Sequence, residues 1–481
     1  MTALDFQALA MLIALGGGLI VLLLAISFRR NHRLAQGVTI VTLLMALLAA
    51  GWAADAAPRA VTRLLAIDGY AVYLGVLFVL ATLVVTVLSH RYLHGSRDDP
   101  EEFYLLLLAA TLGAVTLAAA DHFASLLLGL EILSVALYVL IAYPQAGSPP
   151  LEASLKYLVL SGAASTTLLF GMALVYVATG SLGFAPLPEP GEGGRLYVAA
   201  GLVMIFAGVG FKLSLVPFHM WTPDVYQGAP APVTAFLATV SKGAVFAFLL
   251  RYLLETGVLV DPAVVAVLVV LAVASMIVGN LLALRQEHLK RVLAYSAIAH
   301  LGYLLIPPVA LGLTDPGLGV EASLVYLGAY FAMTLAAFAV VCVLSGSAPA
   351  EEADHLRHYE GLFWHRPGIA LVLTVALLSL AGIPLTVGFI AKFYLFAAGV
   401  SAAAWLLLGA LIVGSGIGLY YYLRIVFAMT RSTVAAEGGL PAASVSGRVT
   451  LGVLGALVLL LGVYPAPFIN AVRQALAGWS G

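Results

Sequence analysis

The chain has 481 residues, 63% of them hydrophobic and 9% charged, with a formal net charge of -1 at pH 7. Soluble domains are about 45–50% apolar and about 25% charged, so a water-soluble fold of this length is excluded and the bilayer must act as solvent. The near-zero net charge argues against nucleic-acid binding, and a single cysteine, Cys342, excludes a disulfide framework or a cysteine-ligated cluster within the chain.

The stretch from Met1 to Ala8 carries Asp5 and no basic residue. A cleavable signal peptide needs a positive n-region, so the first apolar run reads as a transmembrane helix that is retained. A spanning helix takes about 20 mostly apolar residues. Fourteen segments meet that requirement: 7–28, 36–54, 69–92, 103–120, 124–143, 155–179, 196–218, 231–254, 262–284, 290–306, 321–345, 368–400, 403–428 and 449–466. Short loops rich in glycine, proline and charge separate them. The expectation is an all-α, polytopic membrane protein with one integral domain over 1–481. Strands are not expected, because an open sheet leaves its backbone unsatisfied in lipid.

Lysine and arginine set the orientation. With the N-terminus outside, fourteen of the 22 fall on the cytoplasmic side, among them Arg29, Arg30, Arg33, Arg97, Lys156, Lys290 and Arg291. Five fall outside (Arg59, Arg63, Arg195, Arg251 and Arg473), and three lie within helices. That bias places both termini on the outer side and fits an even helix count.

Two segments are interrupted. The seventh runs through Lys212 to Pro217, then past Trp221, Pro223 and Asp224 to Pro230 and Pro232. The twelfth is too long for one crossing and carries Gly382-Ile383-Pro384, then Lys392. Proline removes a backbone donor and clashes with the preceding turn. Irregular backbone at membrane depth survives only where protein or water covers it. Two broken helices, five helices apart and each near a lysine, point to a five-helix internal repeat and a transport site.

Ionisable residues at membrane depth cost about 2.5–3.5 kcal/mol each and mark function by default. Here they are Glu131, Lys212, Lys242, His300 and Lys392. Glu131 is either a structural ion-pair partner or half of a proton switch with Lys212, just before the break at Pro217. Burial loosens a lysine's hold on its proton and a nearby carboxylate tightens it, so parting the pair would release the proton. Lys242 lies about twelve residues from either end of its helix, too deep to snorkel, and reads as a central relay. His300, on one face with Ser296 and Tyr303, is either a proton relay or a hydrogen-bonded core histidine. Lys392 reads as a terminal donor or acceptor, against a purely structural role.

Other features read more plainly. Lys156 is an interfacial anchor, and Asp224 a helix cap in preference to a lysine partner. His90 and His94, one turn apart, read as a solvated loop edge in preference to metal ligands. Gly414 to Gly418 reads as close helix packing, since no strand precedes it. Segment 351–366, with Glu351, Glu352, Asp354, Arg357 and Trp364, reads as an interfacial helix.

The stretches Lys212 to Val233, Leu289 to Leu305, Gly129 to Ser134 and Gly382 to Phe393 carry a resemblance. The chain resembles the antiporter-like subunits of respiratory complex I, which are similar to the large subunits of Mrp-type cation/proton antiporters. The N-type members are most similar: Glu152 to Tyr157 resembles their sixth-helix motif, Lys392 stands where M-type members carry glutamate, and the lateral helix of L-type members is lacking. The resemblance implies fourteen helices with two inverted five-helix repeats, helices 4–8 (101–257) and 9–13 (258–430), preceded by helices 1–3 (1–100) and followed by helix 14 (431–481). It places the family's carboxylate–lysine pair on Glu131 and Lys212, the connecting lysine on Lys242, a histidine on His300 and the terminal lysine on Lys392. It further implies proton translocation coupled to electron transfer from NADH to quinone, with NADH and quinone used by other subunits and no cofactor or metal in this chain. The implied partners are M-type and K-type neighbours, the lateral helix of an L-type subunit and membrane lipid, in a bacterial inner membrane.

Overall fold

The computed structural model describes residues 1–94, 100–143, 148–184, 186–187, 194–313, 316–345, 352–431, 443–477 and 479. Arg97 and Glu351 lie outside the described residues. Thirteen helices among the described residues are long and apolar enough to cross a membrane. Two shorter apolar helices, end to end, make the interrupted crossing foreseen at Gly382-Ile383-Pro384.

In chain order these are α1 (Ala10–Phe28), α2 (His32–Ala54), α3 (Gly69–Tyr92), α4 (Pro100–Ala118), α5 (Phe123–Ala142) and α6 (Ser148–Thr179). Next come the two pieces of the seventh crossing, α7a (Gly194–Leu213) and α7b (Trp221–Gly228), then α8 (Ala231–Glu255), α9 (Pro262–Ala283), α10 (Leu289–Leu311) and α11 (Pro316–Leu344). The twelfth is α12a (Pro367–Ala381) and α12b (Val387–Ser401), followed by α13 (Trp405–Thr430), α14 (Val445–Val463) and a short α15 (Ala466–Ala477).

Local chemistry explains the boundaries. Asp68 caps α3 by accepting from Ala71 N at 2.8 Å, and His122 caps α5 through Ala124 N at 3.0 Å. Pro232, Pro262 and Pro367 stand in first turns, where a missing N–H costs nothing. α12a stops because Gly382 takes φ +85°. The two halves repeat the same device at their openings. α4 and α5 meet at Gly113 and Gly129, where a Cβ on Gly113 would sit 2.7 Å from the Gly129 carbonyl. α9 and α10 meet at Gly279 and Gly302, where a Cβ on Gly279 would sit 2.8 Å from Ala299 N. Small residues let backbones approach where no hydrophobic force drives association.

Burial orders the helices. The apolar stretches of α8 and α11 are wholly buried, whereas only 17% of α1 and 28% of α14 is covered. The lysine of α8 and the histidine of α10 therefore sit at the centre, and α1, α2 and α14 form the lipid-facing margin.

Three expectations need correction. A two-stranded hairpin, β1 (Arg59–Val61) with β2 (Leu65–Ile67), occupies the α2–α3 loop. It is tolerated because it lies between helix ends and pairs onward through Ala66 N to the Ala119 carbonyl at 2.9 Å. Arg251, placed in an outer loop from sequence, is within α8 and 1% exposed, its charge met by Asp68. The segment after α11 is no interfacial helix. Residues 354–356 run alongside 287–289, with Leu289 N donating to the Asp354 carbonyl and Leu356 N to the Glu287 carbonyl at 2.9 Å. Among the described residues of the segment, a single turn at Leu356–Tyr359 and a four-residue helix at Leu362–His365 follow. Pairing with α10's approach outcompetes helix formation there.

Candidate functional site

Both helix breaks put free carbonyls inside the protein, and the buried cations gather there. At the first break, Lys212 occupies the last turn of α7a and is 6% exposed. Its ammonium donates to Ser134 Oγ at 2.8 Å and Ser161 Oγ at 2.6 Å. Ser134 lies three residues after Glu131 on α5, and Tyr138, a turn further, bonds Ser161 at 2.9 Å. Glu131 acts on Lys212 through space without a direct ion pair, and its Oε1 is buried without a hydrogen-bond partner. Lys212 thus meets the serine one turn along from Glu131, and not the carboxylate itself.

Lys242 is 2% exposed and follows a single π-helical turn, Leu237–Ser241, in α8. Such turns often mark functional positions, and here no glycine or proline announces it. The Lys242 ammonium donates to the Leu213 carbonyl at 3.1 Å and to Ser214 Oγ at 2.5 Å. Ser214 in turn accepts from Thr222 Oγ1 at 2.5 Å. The rings of Trp221 and Tyr226 lie 5.6 Å and 5.9 Å from the same ammonium. Lys212 and Lys242 are therefore linked through adjacent residues of one broken helix.

Toward α10 come tyrosines. The Tyr330 ring is 5.6 Å from that of His300. The hydroxyls of Tyr226, Tyr330 and Thr334 are buried with no hydrogen-bond partner. His300, 2% exposed, bonds Tyr326 OH through Nδ1 at 2.7 Å and Tyr422 OH through Nε2 at 3.4 Å. Tyr422 OH also bonds Ser296. The Tyr303 ring, 5.4 Å from His300, lies 5.3 Å under the Lys392 ammonium. Lys392 donates to the Ala381 carbonyl at 2.9 Å, at the end of α12a, and to Ser415 Oγ at 3.1 Å.

The structure thus brings Lys212 and Lys242 together at the first break and His300 and Lys392 together around Tyr303, with Tyr226 beside Lys242, Tyr330 beside His300, and Glu131 three residues before Ser134 on α5. Ser296 and Tyr303 share the His300 face as expected from sequence, whereas Ser161, Ser214, Ser415, Tyr226, Tyr326, Tyr330 and Tyr422 carry no sequence mark. Hydroxyls are common in helices, and only the fold tells which ones face a cation.

Two further readings change. Asp224 is not a cap: it pairs with Lys156 at 3.0 Å and Arg291 at 2.8 Å. The His90 ring packs at a tilt against that of His32, centroids 4.2 Å apart, and His32 bonds Tyr104 OH at 2.9 Å, so a second helix covers His90. Gly414 does serve close packing, since a Cβ there would lie 2.7 Å from Tyr303 OH.

Residues 120–418 match the family model described as NADH:quinone oxidoreductase/Mrp antiporter, TM. The chain belongs to this family. Glu131, Lys212, Lys242, His300 and Lys392 all fall inside the matched span. Among relatives of the oxidoreductase/antiporter family, the NADH-quinone oxidoreductase subunit N of Chromohalobacter salexigens is 49% identical, over 98% of this chain and 99% of that one. A chain of respiratory complex I from Thermus thermophilus superposes with a TM-score of 0.82 at 35% identity, covering 96% of this chain and 99% of that one. A chain of the Mrp complex from Dietzia superposes with a TM-score of 0.84 at 20% identity, covering 99% and 97%. At that identity the likeness shows the fold alone. The all-α, multi-pass architecture with broken seventh and twelfth crossings is the architecture of this family.

Proposed function

We propose that this chain is the N-type, proton-translocating membrane subunit of an NADH:quinone oxidoreductase. The single observation that carries the reading is the lysine seated at each helix break on a helix-end carbonyl and a serine hydroxyl, Lys242 at the first and Lys392 at the second, in a chain 49% identical to a subunit N along nearly its whole length. The family's Mrp antiporters share the fold, but identity across the whole chain favours the redox complex.

In this reading Glu131 and Lys212 form the switch, Lys242 the central relay, His300 the crossing between halves, and Lys392 the terminal group. Serine and tyrosine hydroxyls can accept and donate a proton in one step, so each can pass charge without becoming charged. The orphaned hydroxyls of Tyr226, Tyr330 and Thr334 are groups that water can satisfy, which supports a hydrated link between Lys242 and His300. NADH oxidation and quinone reduction belong to other subunits, and this chain carries no redox group. Its partners are the M-type and K-type neighbours, the lateral helix of an L-type subunit and membrane lipid. It sits in the bacterial inner membrane with both termini outside.

The test is purification in mild detergent, an NADH:quinone assay, and acidification by reconstituted vesicles. The complex with Lys212→Ala or Glu131→Ala is expected to assemble and lose proton delivery per NADH oxidised. Wild-type delivery in both assembled variants would remove their assigned role.

A further inference from the structure

A vestibule of about 460 Å³ opens on the arginine-rich face between the ends of α3, α6, α7b and the segment that follows α11. Its lining includes Lys156, Asp224, Asp354 and His358, and its inner wall includes Glu352. The Glu352 side chain is 9% exposed and reaches three separate elements. Its Oε1 accepts from Tyr92 OH of α3 at 2.9 Å and from the backbone N–H of Ala231 at 2.7 Å. Its Oε2 accepts from the Lys290 ammonium of α10, which is fully buried. Lys290 also donates to the Ala229 carbonyl at 2.7 Å.

These contacts converge on one joint. Ala231 is the first residue of α8, where N–H groups lack helical partners and attract negative charge. Glu352 therefore caps α8 from outside that helix while pairing with a cation on α10. Eleven residues further along α8 is Lys242, and ten further along α10 is His300. The carboxylate itself is fixed by the backbone bonds that hold 354–356 against 287–289. One carboxylate thus fixes the relative position of the two helices across which the charge must pass between halves.

We infer that Glu352, through Lys290, is a positioning residue for proton transfer between Lys242 and His300. It touches neither group and exchanges no proton in the reaction. It sets the axial register of α8 against α10. A misplacement of about 1 Å can cost a transfer step about 100-fold, so a small slip at this joint is enough to interrupt the line.

The inference rests on the proton-translocation reading, and the experiment keeps the two apart. In the reconstituted complex, protons delivered per NADH oxidised are measured for E352Q, K290Q, the double variant, E352D, K290R and K212A. E352Q and K290Q are each expected to assemble and to lower the ratio about tenfold. The double variant should be no worse than either alone, since both remove one joint, and E352D and K290R should recover part of the ratio. A wild-type ratio in E352Q, strictly multiplicative losses in the double variant, or failure of both E352Q and E352D to assemble would overturn the positioning role. If K212A also keeps a wild-type ratio, the translocation reading itself fails. If K212A alone loses it, only this inference does.

Discussion

Lys242 closes the end of α7a by donating to the Leu213 carbonyl at 3.1 Å, and Lys392 closes α12a through the Ala381 carbonyl at 2.9 Å. A helix C-terminus exposes up to four unpaired carbonyls and carries roughly half a negative charge. Each break thus provides a fixed partial anion at membrane depth, and each receives an ammonium together with a serine hydroxyl. The two halves use the same device with the lysine supplied from different helices, α8 in the first and α12b in the second.

Replacing Lys242 separates charge from proton exchange. Lys242→Met removes the cation and leaves the Leu213 carbonyl with one partner fewer. Lys242→Arg keeps a cation, but guanidinium stays protonated at all accessible pH values. Both variants are expected to assemble and to abolish proton delivery, measured as vesicle acidification per NADH oxidised. Activity retained in Lys242→Arg would mean that the charge alone matters and that no proton passes through this residue.

Gly382 is required on two counts, a φ of +85° and the Lys392 side chain lying over it, since a Cβ would fall 2.7 Å from Lys392 Cδ. The left-handed conformation costs about 1–2 kcal/mol for a residue with a side chain. Gly382→Ala should lower the melting temperature of the purified complex and, by displacing the ammonium from the Ala381 carbonyl, reduce proton delivery further than it reduces stability. A loss of stability with delivery intact would show that Lys392 does not need this seat.

How much of this was readable beforehand follows from what a sequence can display. The two breaks were legible because proline and glycine interrupt apolar runs, and Glu131, Lys212, Lys242, His300 and Lys392 because charge is rare inside such runs. The single π-helical turn before Lys242 has no compositional mark. Arg251 looked like a loop residue because it stands four positions from the end of α8. Its buried partner, Asp68, is 183 residues away. Glu352 read as part of an interfacial helix, because nothing local tells that Lys290 and the start of α8 are waiting for it.

Arg251 and Asp68 form a bidentate pair, both bonds at 2.9 Å, with the guanidinium 5.0 Å from the Tyr70 ring. Removing one member strands a buried charge, at a cost of about 3–5 kcal/mol. Arg251→Leu and Asp68→Ala should each reduce assembled complex in the membrane. The pair Arg251→Leu with Asp68→Leu should assemble better than either single change. Quantitative blotting of the membrane fraction measures this, and equal losses in all three would argue against a stranded charge.

Lys156 offers a contrast. It bridges Glu152 at 2.8 Å and Asp224 at 3.0 Å, but its side chain is 42% exposed. Exposed ion pairs contribute about 0–1 kcal/mol. Lys156→Ala should leave the melting temperature nearly unchanged, while Arg291 continues to hold Asp224. A large shift would place this network among the structural determinants of the fold.

Tyr303 tests what carries charge within the second half, between His300 and Lys392. Its hydroxyl accepts from Asn280 Nδ2 at 2.8 Å, and its ring supports the Lys392 ammonium. Tyr303→Phe keeps the ring and deletes the hydroxyl. Asn280 Nδ2 retains the Met276 carbonyl at 2.7 Å, so the stability cost should stay near the low end of about 1–3 kcal/mol. Tyr303→Leu removes both ring and hydroxyl. If the ring's contribution is to seat the ammonium, worth about 2 kcal/mol when desolvated, Phe should preserve most proton delivery and Leu should lose it. If the hydroxyl itself passes the proton, Phe and Leu should be equally inactive. Acidification by the two assembled variants, compared at matched rates of NADH oxidation, decides between seat and carrier, because only the carrier requires an exchangeable proton at that position.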